Sequence, residues 1–411
     1  MTVSREVELE GHVIDSGMLG TALSVIMDMG GAFTVEQFDI GRHKDEESYA
    51  RLCVEADDEA TLQEIIHELH QNGANPADPT DVTLEPAPAD RVVPPGFYST
   101  TNHPTYVRYG DEWLPVERIE MDCAIVVEET ADGPRAYTKV LNAIAAGDRI
   151  VTGDTGIRVD PPARSRGSGG AFGFMEGGVS AERPSESTIR RIAEAMRETK
   201  REGGKILAVP GPALIHSGAR EDFARLVREG YVDMLSAGNG FAVHDIERDL
   251  YGTSLGVDTE TLDHARHGHK HHIYAISEVI REGGIKAAVE SGAIESGVMY
   301  ECIENDRPFV LAGSIRDDGP LPDTITDAVE AQNAIREQAH EADMVLMLST
   351  LLHSVAVGNC LPSTTRVICV DINPATVTQL LDRGSAQAVG MVTDIGTFVP
   401  LLAEELVDTS V

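Results

Sequence analysis

Between residues 184 and 405, apolar strand-like runs alternate with helical segments. Each apolar run ends in small or polar residues, as in RPFVLAGSIRDDG at residues 307–319. Amphipathic segments such as residues 272–284 and 324–341 lie between the runs. Strands that alternate with helices are joined by crossovers, which build a parallel sheet covered on both faces. We therefore predict an α/β domain over residues 184–405.

The first part of the chain shows a different order of elements. Residues 1–92 follow the order β-α-β-β-α-β, with the run DVTLEP (residues 81–86) as the last strand. That order is typical of a ferredoxin-like α+β domain, which can sense metabolites or mediate dimerisation. Short β-type runs then indicate a small β-rich unit at residues 97–165. A Gly-rich segment at 166–183 contains Phe172, Phe174 and Met175, so we expect it to fold over something rather than act as a linker.

Charge and cysteine content restrict the function classes. The net charge is −35, and an acidic surface repels phosphates, so nucleic-acid binding is not expected. Only six of the 33 basic residues are lysine, and the acid is spread over the whole chain, which favours a halophilic surface over a local acidic docking site. No apolar run approaches the length of a membrane span, and the N-terminus does not resemble a signal peptide. Five cysteines without a C-x-x-C pair favour reduced thiols in the cytoplasm.

The ends of the predicted parallel strands carry groups suited to a dinucleotide. Asp371 follows a buried run, where a carboxylate can accept hydrogen bonds from a ribose. Ser349–Thr350 precede a helical segment, so backbone amides there can approach a pyrophosphate. Asn239–Gly240 and Asp394 add amide and carboxylate groups. Each residue alone could be a turn or cap residue, but six such loops at one sheet edge favour a ligand crevice. Neither G-x-G-x-x-G nor a P-loop motif is present.

The histidines and serines could indicate a metal site or a hydrolase, but their spacing favours neither. Five histidines cluster between residues 264 and 272: His264, His267, His269, His271 and His272. No cysteine or glutamate pattern completes a zinc site, so a polar loop is favoured and we predict no metal. His67 and His70 miss the H-E-x-x-H spacing by one residue. Ser254 and Ser354 lack a nucleophile elbow, which argues against a hydrolase.

Five long motifs resemble the archaeal-type ornithine cyclodeaminase family. They are VPGPALIHSGA (209–219), GNGFAVHDIERDLYGTSLG (238–256), VMYECIENDRPFVLAGSIRDDGPLPD (298–323), LLHSVAVGNCLPS (351–363) and VDINPATVTQLLDRGSAQAVGMVTDIG (370–396). The resemblance includes the N-terminal region named for lysine-oxoglutarate reductase/saccharopine dehydrogenase and spans residues 5–405. It implies a C-terminal domain similar to the NAD-binding fold of deoxyhypusine synthase, which explains a dinucleotide site without the usual fingerprint.

The resemblance also implies an activity and a set of contacts. The activity is conversion of L-ornithine to L-proline and ammonia, with tightly bound NAD that takes hydride from Cα and returns it to the cyclic imine. Transferred by position, the NAD contacts are Asn239, Gly240, Asp318, Thr350, Leu351, Leu352, His353, Asp371, Asp394 and Ile395. Gly240 stands where we expect alanine in many relatives. Catalytic and ornithine-binding residues are not transferred, and we expect a homo-oligomer.

Two alternatives remain open from the sequence. The same crevice would suit an NAD-dependent oxidoreductase acting on another amino acid, such as a saccharopine-type substrate, or an NAD-responsive metabolite sensor. In the loop at residues 313–323, Asp318 is the candidate ribose or nicotinamide contact. Arg316 and Asp317 either pair to fix the loop or face the carboxylate and ammonium of a zwitterionic substrate, with the pairing role favoured.

Overall fold

A computed structural model describes residues 2–14, 17–41, 43, 46–77, 80–161, 186–255, 257–258, 270–317, 319–383 and 388–408. The chain divides into two compact units. The first consists of Met1–Gly173 with Leu361–Thr364, and the second of Phe174–Cys360 with Thr365–Val411. Within the described ranges, no helix has the length and apolar character that crossing a membrane requires. The Gly-rich segment, with Phe172, Phe174 and Met175, lies outside the described residues.

The first unit begins with the predicted ferredoxin-like arrangement. Its elements are β1 (Val3–Gly11), α1 (Met18–Asp28), β2 (Ala32–Asp39), β3 (Ser48–Ala56), α2 (Glu59–Gln71) and β4 (Asn75–Pro76). The antiparallel strand order is β2-β3-β1-β4. Asp58 caps α2 by accepting the Thr61 amide, and the helix buries Leu62, Ile65 and Leu69 against the sheet. This α+β arrangement is confirmed, but its fourth strand is not the predicted one.

The strand predicted to close the ferredoxin-like set belongs to the next sheet. Residues Thr83–Pro86 form β5, which pairs with Arg149–Thr152 rather than with β1. The position beside β1 is filled by the two-residue β4, in which Pro76 is tolerated because the strand lies at the sheet edge. The alternating pattern of DVTLEP identified a strand correctly, yet a strand's pattern does not specify its partner. The boundary at residue 92 stays a prediction.

The second sheet forms the β-rich part of the first unit. Its further strands are β6 (Thr105–Tyr109), β7 (Glu112–Glu117), β8 (Ala124–Thr130), β9 (Gly133–Lys139), β10 (Arg149–Thr152) and β11 (Ile157–Val159). The order is β11-β6-β7-β9-β8-β10-β5, and among its pairings only β7 with β9 is parallel in the described part of the chain. Alternate residues such as Ile125 and Val127 are buried in one cluster, while Ala124 and Val126 belong to another on the opposite face.

The second unit contains the predicted parallel sheet. Its strands are β12 (Ile206–Pro210), β13 (Met234–Gly238), β16 (Phe309–Ala312), β17 (Thr324–Ile325), β18 (Met344–Leu348), β19 (Arg366–Asp371) and β20 (Ala388–Val392), while β14 (Thr253–Ser254) and β15 (Val257–Asp258) form a separate small hairpin. The order is β17-β16-β13-β12-β18-β19-β20, and every neighbouring pair is parallel. Strands β12 and β18 are buried at all five positions, as expected for a sheet covered on both faces.

Helices follow the strands of this sheet in nearly regular alternation. They are α3 (Glu186–Arg201), α4 (Ala213–His216), α5 (Arg220–Arg228), α6 (Asn239–Tyr251), α7 (His271–Glu282), α8 (Ile285–Glu290), α9 (Val298–Glu304), α10 (Ala328–Glu341), α11 (Leu352–Gly358), α12 (Pro374–Arg383) and α13 (Ile395–Ala403). One prediction needs correction here: the segment 324–341 is not helical throughout. Its first residues form the edge strand β17, and α10 starts at Ala328, where the Asp327 carboxylate caps the helix.

Candidate functional site

The strand order of the parallel sheet fixes where a ligand can bind. From β12 the chain adds β13, β16 and β17 on one side, then returns to add β18, β19 and β20 on the other. The order therefore reverses between the neighbouring strands β12 and β18. In open α/β sheets the loops at such a reversal diverge to opposite faces and leave a crevice at the carboxyl ends of the strands. The candidate site lies at that edge.

The two loops that leave β12 and β18 run in direct contact. The Gly211 amide donates to the Leu348 carbonyl at 2.8 Å, and a Cβ on Gly211 would lie 2.1 Å from the Ser349 carbonyl oxygen. Only glycine fits there. Ser349 has a left-handed backbone with φ 52°, and its Oγ is buried without a partner among the described residues. A buried hydroxyl without a partner is a donor that a polar ligand can engage.

His353 occupies the base of the crevice in its neutral form. The ring lies against the β13 end, where a Cβ on Gly238 would be 3.1 Å from its Cε1. Burial lowers the pKa of His353, partly offset by a hydrogen bond to the backbone of Ala237. The other ring nitrogen, Nε2, is buried without a hydrogen-bond partner in the part of the chain described. Beside it, Leu351 and Leu352 are exposed apolar side chains at the start of α11.

Asn239 and Gly240 are the first two residues of α6, directly after β13, and their roles differ. The buried Asn239 Oδ1 accepts from the Leu321 amide at 3.0 Å and from Thr324 Oγ1 at 2.9 Å. It therefore fixes the loop that follows β16, a structural role that the sequence did not indicate. A Cβ on Gly240 would meet no atom within 4 Å, so alanine fits at this position. That alanine is common there in relatives stays a prediction.

Two carboxylates lie at the ends of the next strands, β19 and β20. Asp371 Oδ1 accepts the Asn373 amide at 2.8 Å, and Oδ2 has no partner among the described residues. Asp371 thus combines the turn role with a carboxylate oxygen that a ribose can use. Asp394 is exposed at the start of α13, whereas Ile395 is buried with 3% exposure. Any ligand contact by Ile395 would therefore use its backbone amide.

The loop that follows β16 is described except for Asp318. Asp318 was the candidate ribose or nicotinamide contact and lies outside the described residues. The Asp317 carboxylate accepts the Ser314 amide at 2.6 Å, so it stabilises the turn. Ile315 at the tip is fully exposed. Asp317 thus stabilises the loop through a backbone amide, and the favoured ion pair between Arg316 and Asp317 does not occur among the described residues.

The structure also brings together a histidine network that the sequence did not predict. His216 at the end of α4 has its Nδ1 2.6 Å from Ser254 Oγ, and its ring packs edge-on against His244 with centroids 5.0 Å apart. Burial of the ring is the main reason that the pKa of His216 is lowered, and the neighbouring His244 lowers it further. The imidazole is therefore neutral at pH 7. His216 nevertheless remains exposed at the surface of the crevice, where a ligand can reach it.

The buried Glu247 holds this network in place. Its carboxylate lies 2.9 Å from His244 Nδ1 and accepts from Thr253 Oγ1 at 2.9 Å and from the Leu255 amide at 3.2 Å. Glu247 has no exposed surface, so its charge is stabilised by these donors. The spacing His244-x-x-Glu247 on α6 is the signal in the sequence that could have identified the pair.

The network lies at the same sheet edge as the predicted contacts. The Ser217 carbonyl, directly after His216, is so close to the start of α13 that a Cβ on Gly396 would lie 2.6 Å from it and 3.0 Å from Asp394 Oδ2. The residues around the β12–β18 reversal therefore include buried donors, carboxylates suited to ribose hydroxyls, and three histidines. These groups fit a dinucleotide, with polar atoms of Ser349 and His353 available to it.

The described residues offer no comparable metal centre. Within them, no group of three or more His, Cys, Asp or Glu side chains is arranged to hold a metal ion. Of the clustered histidines, His264, His267 and His269 lie outside the described residues. His271 Nδ1 is 2.8 Å from Thr253 Oγ1, and its ring stacks on Tyr251.

Comparison with known proteins yields matches along nearly the whole chain. Residues 190–402 match the model of the C-terminal Rossmann-fold region of arginine dihydrolase ArgZ-like proteins, and residues 104–189 match the first region of that C-terminal part. Residues 4–103 match the conserved region of the LOR/SDH bifunctional enzyme. The predicted α/β class of the C-terminal domain is thus confirmed, as is the predicted resemblance of the N-terminal region.

Several proteins of similar sequence are named as ornithine cyclodeaminases. The ornithine cyclodeaminase of Methanopyrus kandleri is 54% identical over 400 residues, which cover 97% of this chain and 96% of that protein. The bifunctional arginine dihydrolase/ornithine cyclodeaminase AgrE of Nostoc is 46% identical over 98% of this chain, and the match spans 58% of that longer protein.

Solved structures agree with these matches. The apo structure of the cyanobacterial arginine dihydrolase ArgZ superimposes with a TM-score of 0.86 at 42% identity, covering 100% of this chain and 59% of that one. The ternary complex of AgrE with ornithine and NAD+ gives a TM-score of 0.54 at 44% identity, covering 100% of this chain and 58% of that one.

Proposed function

This chain belongs to the family of archaeal ornithine cyclodeaminases, and we propose that it converts L-ornithine to L-proline and ammonia with NAD as a recycled cofactor. The observation that carries the proposal is the match to relatives of that name at 53–54% identity over 97–98% of this chain. The crevice supports it, because the groups at the β12–β18 reversal suit a dinucleotide. The reaction places the protein in proline formation from ornithine.

The cofactor would be held by the strand-end residues. We assign this role to Asn239, Gly240, Asp318, Thr350, Leu351, Leu352, His353, Asp371, Asp394 and Ile395, and we add Ser349 because its buried Oγ needs a partner. When bound, NAD supplies a hydride acceptor for Cα of ornithine and a hydride donor for the cyclic imine. The protein supplies position: exposed apolar Leu351 and Leu352 offer a surface to a ring, and the Asp371 Oδ2 suits a ribose hydroxyl.

We assign proton transfer to the His216–His244 network. Ornithine binds with a charged α-amine, which must lose a proton before Cα can give up hydride. His216 is neutral and exposed, and in the tautomer whose Nδ1–H donates to Ser254 Oγ, Nε2 is the nitrogen that accepts this proton. Glu247 orients the neighbouring His244, and its negative charge favours the protonated form of His216.

A panel assay separates this function from the two alternatives. Purified protein is given ornithine, lysine, saccharopine and glutamate in turn, with proline, ammonia and NADH measured together. We expect equal amounts of proline and ammonia from ornithine alone, without net NADH. Net NADH from any amino acid would indicate an ordinary oxidoreductase, and binding of NAD without turnover would indicate a sensor.

Substitution of Asp371 by alanine tests the cofactor assignment. We expect the free energy of NAD binding to weaken by about 1–3 kcal/mol, because a ribose hydroxyl would lose its charged acceptor. The measurement is calorimetric titration with NAD. Asp327→Ala is the matched control, since the Asp327 carboxylate likewise accepts backbone amides after a strand of the same sheet but lies outside the assigned set. Equal NAD affinity in wild type and Asp371→Ala would leave Asp371 with the turn role only.

Salt dependence tests the halophilic proposal. With a net charge of −35, self-repulsion opposes compact and assembled states when the screening length is ~10 Å or more, as at or below ~0.1 M salt. We expect the melting temperature and activity to rise from dilute buffer to molar potassium chloride, and the proposed homo-oligomer to loosen in dilute buffer. Thermal melting and sedimentation across that range provide the test. A protein equally stable and equally assembled at low salt would refute the halophilic proposal.

We also place the protein in the cytoplasm. All five cysteines are free thiols, and four of them are buried. Unpaired thiols of this kind are usual in a reducing compartment.

A further inference from the structure

A polar cavity lies in the first unit, where α2 and the edge of the first sheet meet the β-rich sheet. Its volume is about 440 Å³. Val7, Ile66 and Pro76 provide apolar walls, and Arg5, His70 and Asp154 provide the polar groups. The activity proposed above uses none of these residues, and all of them belong to one compact unit.

His70 is the most unusual of the lining side chains. It is 1% exposed, and both of its ring nitrogens are buried without a hydrogen-bond partner among the described residues. Burial lowers the pKa of His70 to about 4, so the ring is neutral and carries one donor and one acceptor. A buried polar group of this kind is costly unless something hydrogen-bonds to it. On α2, leucine would pack at this position without that cost.

Charged neighbours of both signs act on the His70 ring. Asp154 favours its protonated form, whereas His67 and Arg5 oppose it. Asp154 is held at 2.8 Å by His67 Nδ1, and Arg5 is held by Glu59 at 2.5 Å. A guanidinium, a carboxylate and a neutral imidazole in the lining of one cavity match the carboxylate and ammonium of a zwitterion.

We propose that this cavity binds a free α-amino acid, with the α-carboxylate toward Arg5, the α-ammonium toward Asp154 and the imidazole of His70 hydrogen-bonded to the ligand. The apolar walls receive the aliphatic part of the side chain. Glu6 and Asp154 outnumber Arg5 among the charged groups that line the cavity, so the site takes basic or neutral amino acids and rejects aspartate and glutamate. The same charge balance excludes phosphorylated ligands. The site therefore gives the ferredoxin-like domain a ligand-sensing role beyond the proposed catalytic function.

The test is calorimetric titration of the NAD-loaded full chain with L-lysine, L-arginine, L-leucine and L-glutamate. We expect at least one of the first three to bind and L-glutamate not to bind. Arg5→Gln, Asp154→Asn and His70→Leu are each expected to weaken that binding by about tenfold or more, the scale of a lost charged or buried hydrogen bond. Arg135→Gln is the matched control, because Arg135 lies on β9 of the same unit, pairs with Glu117 and does not line the cavity.

The thermal stability of ligand-free His70→Leu gives an independent readout. Because leucine removes two buried polar atoms, we expect this variant to melt at or above the temperature of the wild type while it loses amino-acid binding. The proposal is overturned if none of the amino acids binds, if glutamate binds as well as the others, or if binding persists unchanged in the three cavity variants. These variants leave the crevice of the second unit intact, so ornithine turnover in them reports separately on the proposed enzymatic function.

Discussion

Replacement of His216 by asparagine is expected to lower kcat/KM for ornithine by about 10²–10⁴-fold, the usual contribution of a general base. Asparagine can still hydrogen-bond to Ser254, but it cannot accept a proton from the α-amine. His216 is exposed and does not belong to the assigned cofactor contacts, so NAD affinity and melting temperature should change little. Steady-state kinetics, NAD titration and thermal melting of the same preparation measure the three quantities.

Two further variants make this result specific. Ser254→Ala leaves the imidazole present but removes the hydroxyl 2.6 Å from Nδ1, so we expect a smaller loss than in His216→Asn. His12→Ala changes a histidine of the first unit and should leave the activity unaltered. If His216→Asn keeps activity close to that of the wild type, another group accepts the proton, and His244 is the next residue to replace.

Replacement of Asp245 by alanine is expected to reduce the free energy of unfolding of the second unit by about 3–5 kcal/mol, the cost of breaking a buried ion pair. Asp245 and Arg220 have side chains that are only 1% and 3% exposed, and Oδ1 of Asp245 lies 2.6 Å from Nε of Arg220. The same carboxylate accepts the amides of Val298 and Met299 at the start of α9. Alanine would leave a buried guanidinium and two buried amide groups without these acceptors.

The chain provides a matched control on the same guanidinium. Glu221 also lies 2.6 Å from Arg220, but its side chain is 60% exposed. We expect Glu221→Gln to cost less than about 1 kcal/mol, because solvent screens exposed ion pairs. Urea unfolding at one fixed salt concentration compares the two variants. Equal losses in both would mean that burial does not determine the contribution of Asp245.

The parallel sheet could be predicted because burial of its strands leaves a clear pattern in the sequence. Strands such as β12 and β18 are buried on both faces and therefore read as continuous apolar runs. Helices must connect these strands, so the sequence shows where each strand ends. Thr350, Asp371 and Asp394 lie at or just after these ends. The structure brings these residues to one sheet edge, as predicted.

Other features depend on contacts that the sequence pattern does not contain. The β5 strand alternates as a strand should, but its pairing with β10 joins residues more than sixty positions apart. Thr324–Ile325 forms an edge strand that was included in the predicted helix, because two residues are too few to show a period. The His216–Ser254 pair joins the end of α4 to β14, and only the His244–Glu247 spacing within α6 signalled the network.

In the proposed reaction, the hydrogen removed from Cα of ornithine returns to the same carbon of the product. The test uses ornithine deuterated at Cα, unlabelled NAD in catalytic amount, and mass spectrometry of the proline formed. We expect proline that retains one deuterium at its α-carbon, formed together with an equal amount of ammonia and without accumulation of NADH. Proline that has lost the deuterium, or NADH that accumulates in proportion to ornithine consumed, would contradict it.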